Sequence, residues 1–157
     1  MFELLTHRKA KITDLRIIVN LLLEDELGRM RESAQLELDQ RYIDAFHKIN
    51  NDLNQYLMVV EKSAEIIGTC HLTIMPSLTF TGQTRMQIEA VRILKIFRGQ
   101  QIGKWMLQEA IKYGKSKGAS IIQLTTNKQR SSAKNFYEKL GFEASHEGMK
   151  LYLDKAI

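Results

Sequence analysis

The chain has 157 residues, 44% apolar and 26% charged, which is the composition of one folded domain (residues 1–157) and not of a disordered or fibrous chain. A net charge of +5 is dispersed, with no basic run longer than Arg8-Lys9, which argues against a nucleic-acid partner and leaves room for an anionic small ligand. One cysteine, Cys70, excludes an internal disulfide, and with no membrane-length apolar run and no signal-peptide order at the start, a cytoplasmic protein without a membrane partner is expected.

Phe2 to Arg8 reads as a first strand. Thr13-Asp14 looks like a helix cap, and Leu15, Ile18, Val19 and Leu22 then recur at helical spacing. Glu24 to Ser33 is polar and reads as a loop. Its acidic run, Glu24 to Glu26, reads as a solvated face before it reads as a cation site. Glu37 to Asn50 is a second helix, with Leu38, Tyr42, Ala45, Phe46 and Ile49 on one side.

Tyr56 to Glu61 and Glu65 to Met75 are two strands of a meander, joined at Lys62-Ser63-Ala64. Cys70 reads as a small packed residue, and His71 as an ordinary strand histidine. Pro76 to Gly82 is a loop. Ile88 to Leu94 is an extended, mostly apolar run ending near Phe97. Arg98-Gly99-Gln100-Gln101-Ile102-Gly103 is a short loop that opens a helix running from about Gly103 to Lys117. Ile102, Met106, Leu107, Ala110, Ile111 and Gly114 give that helix an apolar stripe, and Gly118 closes it. Ser120 to Thr126 is a strand expected to pair in parallel with the strand before the loop. Ser131 or Ser132 caps a last helix, which runs to Leu140 and is closed by Gly141. Met149 to Leu153 reads as a final strand.

A strand that turns tightly into a helix leaves several backbone N–H groups unpaired at the positive end of the helix dipole. Such a turn suits a phosphate or pyrophosphate, and Arg98 and Lys104 flank it with full charges. The order Arg98-x-x-Gln101-x-Gly103 resembles the acetyl-CoA-binding motif of the GNAT family of N-acetyltransferases. Gln101 stands where that motif usually has its first glycine, and such a residue is expected to keep a negative φ. The resemblance continues in Ala133-x-x-Phe136-Tyr137-x-x-x-Gly141-Phe142. Arg130 stands where the family usually has an asparagine.

The resemblance implies an α/β fold in which a mixed, mostly antiparallel sheet of about six to seven strands is flanked by about four helices. It places a splayed parallel strand pair at the centre. It also implies acetyl-CoA as co-substrate, transferred to a small-molecule or protein amine by direct attack. Main-chain groups of Val91, Arg92 and Ile93 would take the pantetheine arm. Arg98, Gly99, Gln100, Gln101, Ile102, Gly103 and Lys104 would hold the pyrophosphate. Asn127, Arg130, Ala133, Phe136 and Tyr137 would complete the cofactor site. Glu89 is read as a base or a contact for the cationic acceptor, against a solvent-facing strand residue. Tyr137 is read as an acid for the leaving thiolate, against a packed aromatic. His7, His47, His71 and His146 lack ligand spacing, so no metal is expected. A non-catalytic acyl-CoA-binding sensor or interaction domain is the other reading. Homodimers are common among similar proteins.

Overall fold

A computed structural model of the protein describes residues 4–154. Five strands form one sheet in the order β1-β2-β3-β4-β5: β1 (Leu5–Lys9), β2 (Gln55–Lys62), β3 (Glu65–Met75), β4 (Thr84–Ile93) and β5 (Ala119–Leu124). The first four pair antiparallel, and β5 runs parallel to β4. Six helices accompany the sheet: α1 (Leu15–Leu23), α2 (Glu26–Arg31), α3 (Gln40–Asn50), α4 (Thr79–Gly82), α5 (Ile102–Ser116) and α6 (Ser131–Lys139).

The side chains explain the layering. Alternation along β2 to β4 sends Met58, Cys70, Leu72, Met86 and Ile88 to one face. There they meet Ile102, Met106, Leu107 and Ala110 of α5. The opposite face offers Leu57, Val59 and Ile66 to Leu15, Ile18, Val19 and Leu21 of α1 and Phe46 of α3. Helix α5 buries its expected stripe apart from the half-buried Ile111, whereas α1 buries Leu21 in place of the expected Leu22, and on α3 Phe46 is buried while Ala45 of the expected face is exposed. Each leucine-sized side chain so buried contributes about 1.5–3 kcal/mol.

Several expectations need correction. The sheet has five strands, not six to seven, because Met149 to Leu153 forms no ladder. Met149, Leu151 and Leu153 alternate as a strand would, yet each is about nine-tenths exposed. Alternation proposes a strand, but only a partner with free backbone groups makes one. The parallel pair therefore lies at the sheet's edge and not at its centre. The helices number six and not about four. Glu24 to Ser33 is not a plain loop: Asp25 caps α2 there by accepting the Gly28 N–H at 2.7 Å. The turn is tight enough that a Cβ at Gly28 would fall 1.8 Å from the Leu22 carbonyl oxygen. Helix α4 is a single turn with Phe80 and Thr81 at left-handed φ. The first strand runs from Leu5 to Lys9. Phe2 and Glu3 of its expected span lie outside the described residues. Ser131 and Ser132 do not cap α6, since its cap position is Arg130.

Asp14 has a different job from a simple cap. It stands before α1, but its carboxylate accepts from Arg8 Nη1 at 2.7 Å and from the Lys11 N–H at 2.7 Å. Arg8 Nε also donates to Glu61 Oε1 at 2.7 Å. The cluster ties β1 and β2 to the start of α1. Hydrogen bonding from Arg8, helped by the Lys11 N–H, outweighs burial and holds the Asp14 carboxyl below the usual range. A carboxyl depressed in the folded state contributes stability above its unfolded value, and that stability is lost as pH falls through the folded one. Asp14→Asn should lower stability by about 2 kcal/mol at pH 7. Its melting point should fall roughly 4–8 °C. In thermal scans from pH 7 downward, the gap to the native protein should narrow below about pH 4.

Candidate active site

Strands β4 and β5 stay paired only from Thr84↔Ala119 to Ile88↔Leu124, although β4 continues to Ile93. Beyond Leu124, where β5 ends, the edge of β4 from Glu89 to Ile93 has no strand beside it, and this open edge is the candidate cleft. Here β4 is also irregular. His71 of β3 faces Glu89 and Thr69 faces Arg92, so Ala90 and Val91 together oppose Cys70. That is a bulge, and Ala90 takes a left-handed φ of 53° to make it. In a regular strand, positions three apart point to opposite faces. The bulge resets the alternation, so Glu89 and Arg92 share a face with His71 and Thr69.

That face is polar near the cleft. Gln55 Oε1 accepts from His71 Nε2 at 2.6 Å and from the Thr73 hydroxyl at 2.8 Å. Gln123 donates to Gln87 Oε1 at 2.8 Å. Glu89 is exposed at its edge. Burial lowers the His71 pKa against the pull of Glu89, so its ring is neutral at pH 7. The sequence offered His71 only as one strand histidine among others. The strand register, which the bulge sets, is what brings it opposite Glu89.

The loop after β4 enters α5 through Gln101, whose φ is +66°. The expectation of a negative φ is corrected: the chain turns here as it would at the glycine usual in the motif, and pays steric strain for the Cβ. Behind the loop, Gly103 lies where an added Cβ would meet the Phe136 ring at 3.5 Å and Ile93 at 3.8 Å. The first turn of α5 thus packs against α6. Arg98 is turned away from the helix start. It donates from Nε to the Ile93 carbonyl at 3.0 Å, and its Nη2 lies 3.5 Å from Glu24 Oε2. Glu24 also accepts the Lys95 N–H at 3.0 Å, so the end of α1 is fastened to the loop. Lys104 and Gln101 are exposed at the helix start, and Gln100 donates to the Ile96 carbonyl at 3.3 Å.

On the far side of the cleft, α6 presents Ala133, Phe136 and Tyr137, all partly buried. The Tyr137 ring meets Phe136 and Phe142 edge-on, at centroid distances of 5.3 and 5.9 Å. Burial raises its hydroxyl pKa, against the charge of Arg92. Arg130 reaches over to α2 and donates to Asp25. A cleft of about 300 Å³ between them is lined by Asp25, Glu26, Leu27, Met30, Gln129 and Arg130. Asn127 accepts the Gln129 N–H at 2.9 Å, which shapes the turn before α6. Cys70 lies fully buried under the bulge, and burial pushes its thiol up to about 12, which removes it as a nucleophile. Among the described residues, no three histidine, cysteine, aspartate or glutamate side chains gather as a metal site. No described helix is long and apolar enough to cross a membrane.

A parallel pair whose second strand ends beside a bulge, near the start of a long helix, fits the sequence motifs that suggested acetyl-CoA. The family model "Acetyltransferase (GNAT) family" matches residues 19–142. The chain belongs to the GNAT family. An aminoalkylphosphonate N-acetyltransferase from Salmonella typhimurium is 30% identical over 116 residues, 73% of this chain and 75% of that protein. A glucosamine 6-phosphate N-acetyltransferase from Trypanosoma brucei brucei is 31% identical over 93 residues, 59% of this chain and 61% of its own length. The crystal structure of a transcriptional regulator from Bacillus halodurans C-125 superposes with a TM-score of 0.92 at 44% identity, covering 95% of this chain and 99% of that one. Against that GNAT background, Gln101→Gly should relieve the left-handed strain. It should raise stability by about 1 kcal/mol, read as a melting point roughly 2–4 °C higher.

Proposed function

We propose that this GNAT protein is an N-acetyltransferase that moves an acetyl group from acetyl-CoA to a primary amine in one direct attack. The observation that carries the reading is the open edge of β4 at the Ala90–Val91 bulge, where β5 has ended and the start of α5 lies near Ile93. An extended, amide-bearing arm can lie along the unpaired edge of Val91 to Ile93 as an added strand. The free N–H groups of the first turn of α5, from Ile102 to Lys104, suit a pyrophosphate, supported by the helix dipole. Arg98, Gly99, Gln100 and Gln101 form the approach to that turn. Asn127, Arg130, Ala133 and Phe136 close the opposite wall.

The chain's own groups supply the remaining steps. Glu89, exposed and opposite the neutral His71, takes the proton that the acceptor ammonium must lose, directly or through water. The amine nitrogen then forms a bond to the acetyl carbon as the carbon–sulfur bond breaks. The departing thiolate takes a proton from Tyr137, whose raised pKa keeps it protonated at neutral pH. Holding both reactants in one cleft supplies much of the rate. The names of the aminoalkylphosphonate and glucosamine 6-phosphate relatives favour a small amine as acceptor.

One observation favours a second reading, a non-catalytic acyl-CoA-binding sensor: the 44% identical neighbour is a transcriptional regulator. Two measurements separate the readings. Acetyl-CoA should raise the melting point under both, because a ligand that binds only the folded state stabilises it. Only the enzyme should release free thiol when an amine is added. Tyr137→Phe should lower turnover about 100-fold while keeping the acetyl-CoA melting shift. Unchanged turnover in that variant would remove its role as acid, and no thiol release with any amine would leave the sensor.

A further inference from the structure

Arg92, Arg130 and Arg31 lie close enough for their charges to act on one another beside Asp25, and Glu26 lines the same cleft as Asp25 and Arg130. Arg92 shares the sheet face of Glu89, two residue steps away along β3, or about 7 Å. Its Nη1 donates to the neighbouring Val91 carbonyl at 2.9 Å, and its buried Nε has no hydrogen-bond partner among the described residues. Arg130 crosses the cleft from the start of α6 to Asp25, and Arg31 ends α2. Burial lowers the Arg92 pKa, and Arg130 and Arg31 lower it further against the pull of Asp25. Burial would raise the Asp25 carboxyl. The Gly28 N–H and the charges of Arg92 and Arg130 outweigh it, and the carboxyl stays ionised. Asp25, already capping α2, and the exposed Glu26 beside it are set against three cations. Such a cluster is stabilised by an added anion whose oxygens accept from Arg92 and Arg130.

We infer that Arg92 and Arg130, with Arg31 nearby, bind an anionic group of the amine acceptor, a phosphate or phosphonate, while Glu89 faces its ammonium. This rests on the acetyl-transfer reading above and adds the acceptor's second charge. The bulge is what allows both ends of one small zwitterion to be met on the same face. Asp25 holds Arg130 until the anion replaces it.

Initial rates with 2-aminoethylphosphonate and with propylamine test the inference, since the two share a primary amine and differ in the anion. The native protein should prefer the phosphonate by about 30-fold or more in kcat/KM, the range of one or two charge-assisted hydrogen bonds. Arg92→Gln should erase most of that preference through the KM for the acceptor, with a smaller change in the KM for acetyl-CoA. Arg130→Gln should act in the same direction, and carries the test if the first variant does not fold. Equal efficiency on the two amines would overturn the inference. So would a loss in Arg92→Gln that falls mainly on acetyl-CoA, since the arginines would then serve the co-substrate. Calorimetric titration with 2-aminoethylphosphonate separates the two readings. Binding that is lost in Arg92→Gln, without turnover on any amine, would uphold the anion site and sink acetyl transfer. Absence of binding would sink the anion site.

Discussion

Everything proposed for this protein depends on one irregularity in β4. Two residues, Ala90 and Val91, occupy the ladder space of one, and Ala90 accepts a left-handed backbone to do so. The distortion has three consequences. The strand bends near the point where β5 ends, beside the open edge of β4. Its edge from Val91 to Ile93 is left to pair with something other than the sheet. The alternation of side chains is reset, so that Glu89 and Arg92 face one way. A bulge costs local strain, and the surrounding core must hold it in place. The fully buried Cys70, Met58 and Leu72 beneath it, packed against α5, do that.

The walls of the cleft are fixed by polar ties more than by apolar contact. Glu24 fastens the end of α1 to the loop after β4 through the Lys95 N–H and Arg98. Asp25 caps α2 and meets Arg130 across the gap. Tyr42 of α3 donates to Glu32 and accepts the Ser33 N–H, which holds the segment after α2. The side of the cleft around Asp25 and Arg130 is therefore built from a short helix, a loop and a few charged side chains. Such segments open more readily than a packed core, which suits a site that must admit and release two reactants. The opposite side, where α5 and α6 meet at Gly103 and Phe136, is packed and suits a part of the site that needs one fixed shape.

The central segments were legible because local pattern and tertiary environment agree there. The α5 stripe, the parallel unit from β4 to β5 and the motif around Tyr137 are each carried by consecutive residues. Their geometry follows from helical and strand periods. The acceptor side was not legible. Asp25 read as part of a solvated acidic run, yet it caps a helix and pairs with a residue 105 positions away. His71 read as ordinary because its opposition to Glu89 depends on register. Gln101 read as a residue at negative φ, whereas the loop imposes the glycine conformation on it. The contacts of the Arg98 guanidinium with the Ile93 carbonyl and Glu24 join segments that no local pattern links. Met149 to Leu153 has a strand's pattern without a strand's partner.

By itself, the amino-acid order determined the family, the α5 stripe, the meander and the loop that opens α5, since these depend on the spacing of neighbours in one chain. The tertiary structure alone decided the strand count, the register between β3 and β4, and which charges meet across the cleft. Those are set by a single bulge and by contacts between distant segments. A one-residue change in pairing turns every following side chain to the other face, and no local pattern encodes that.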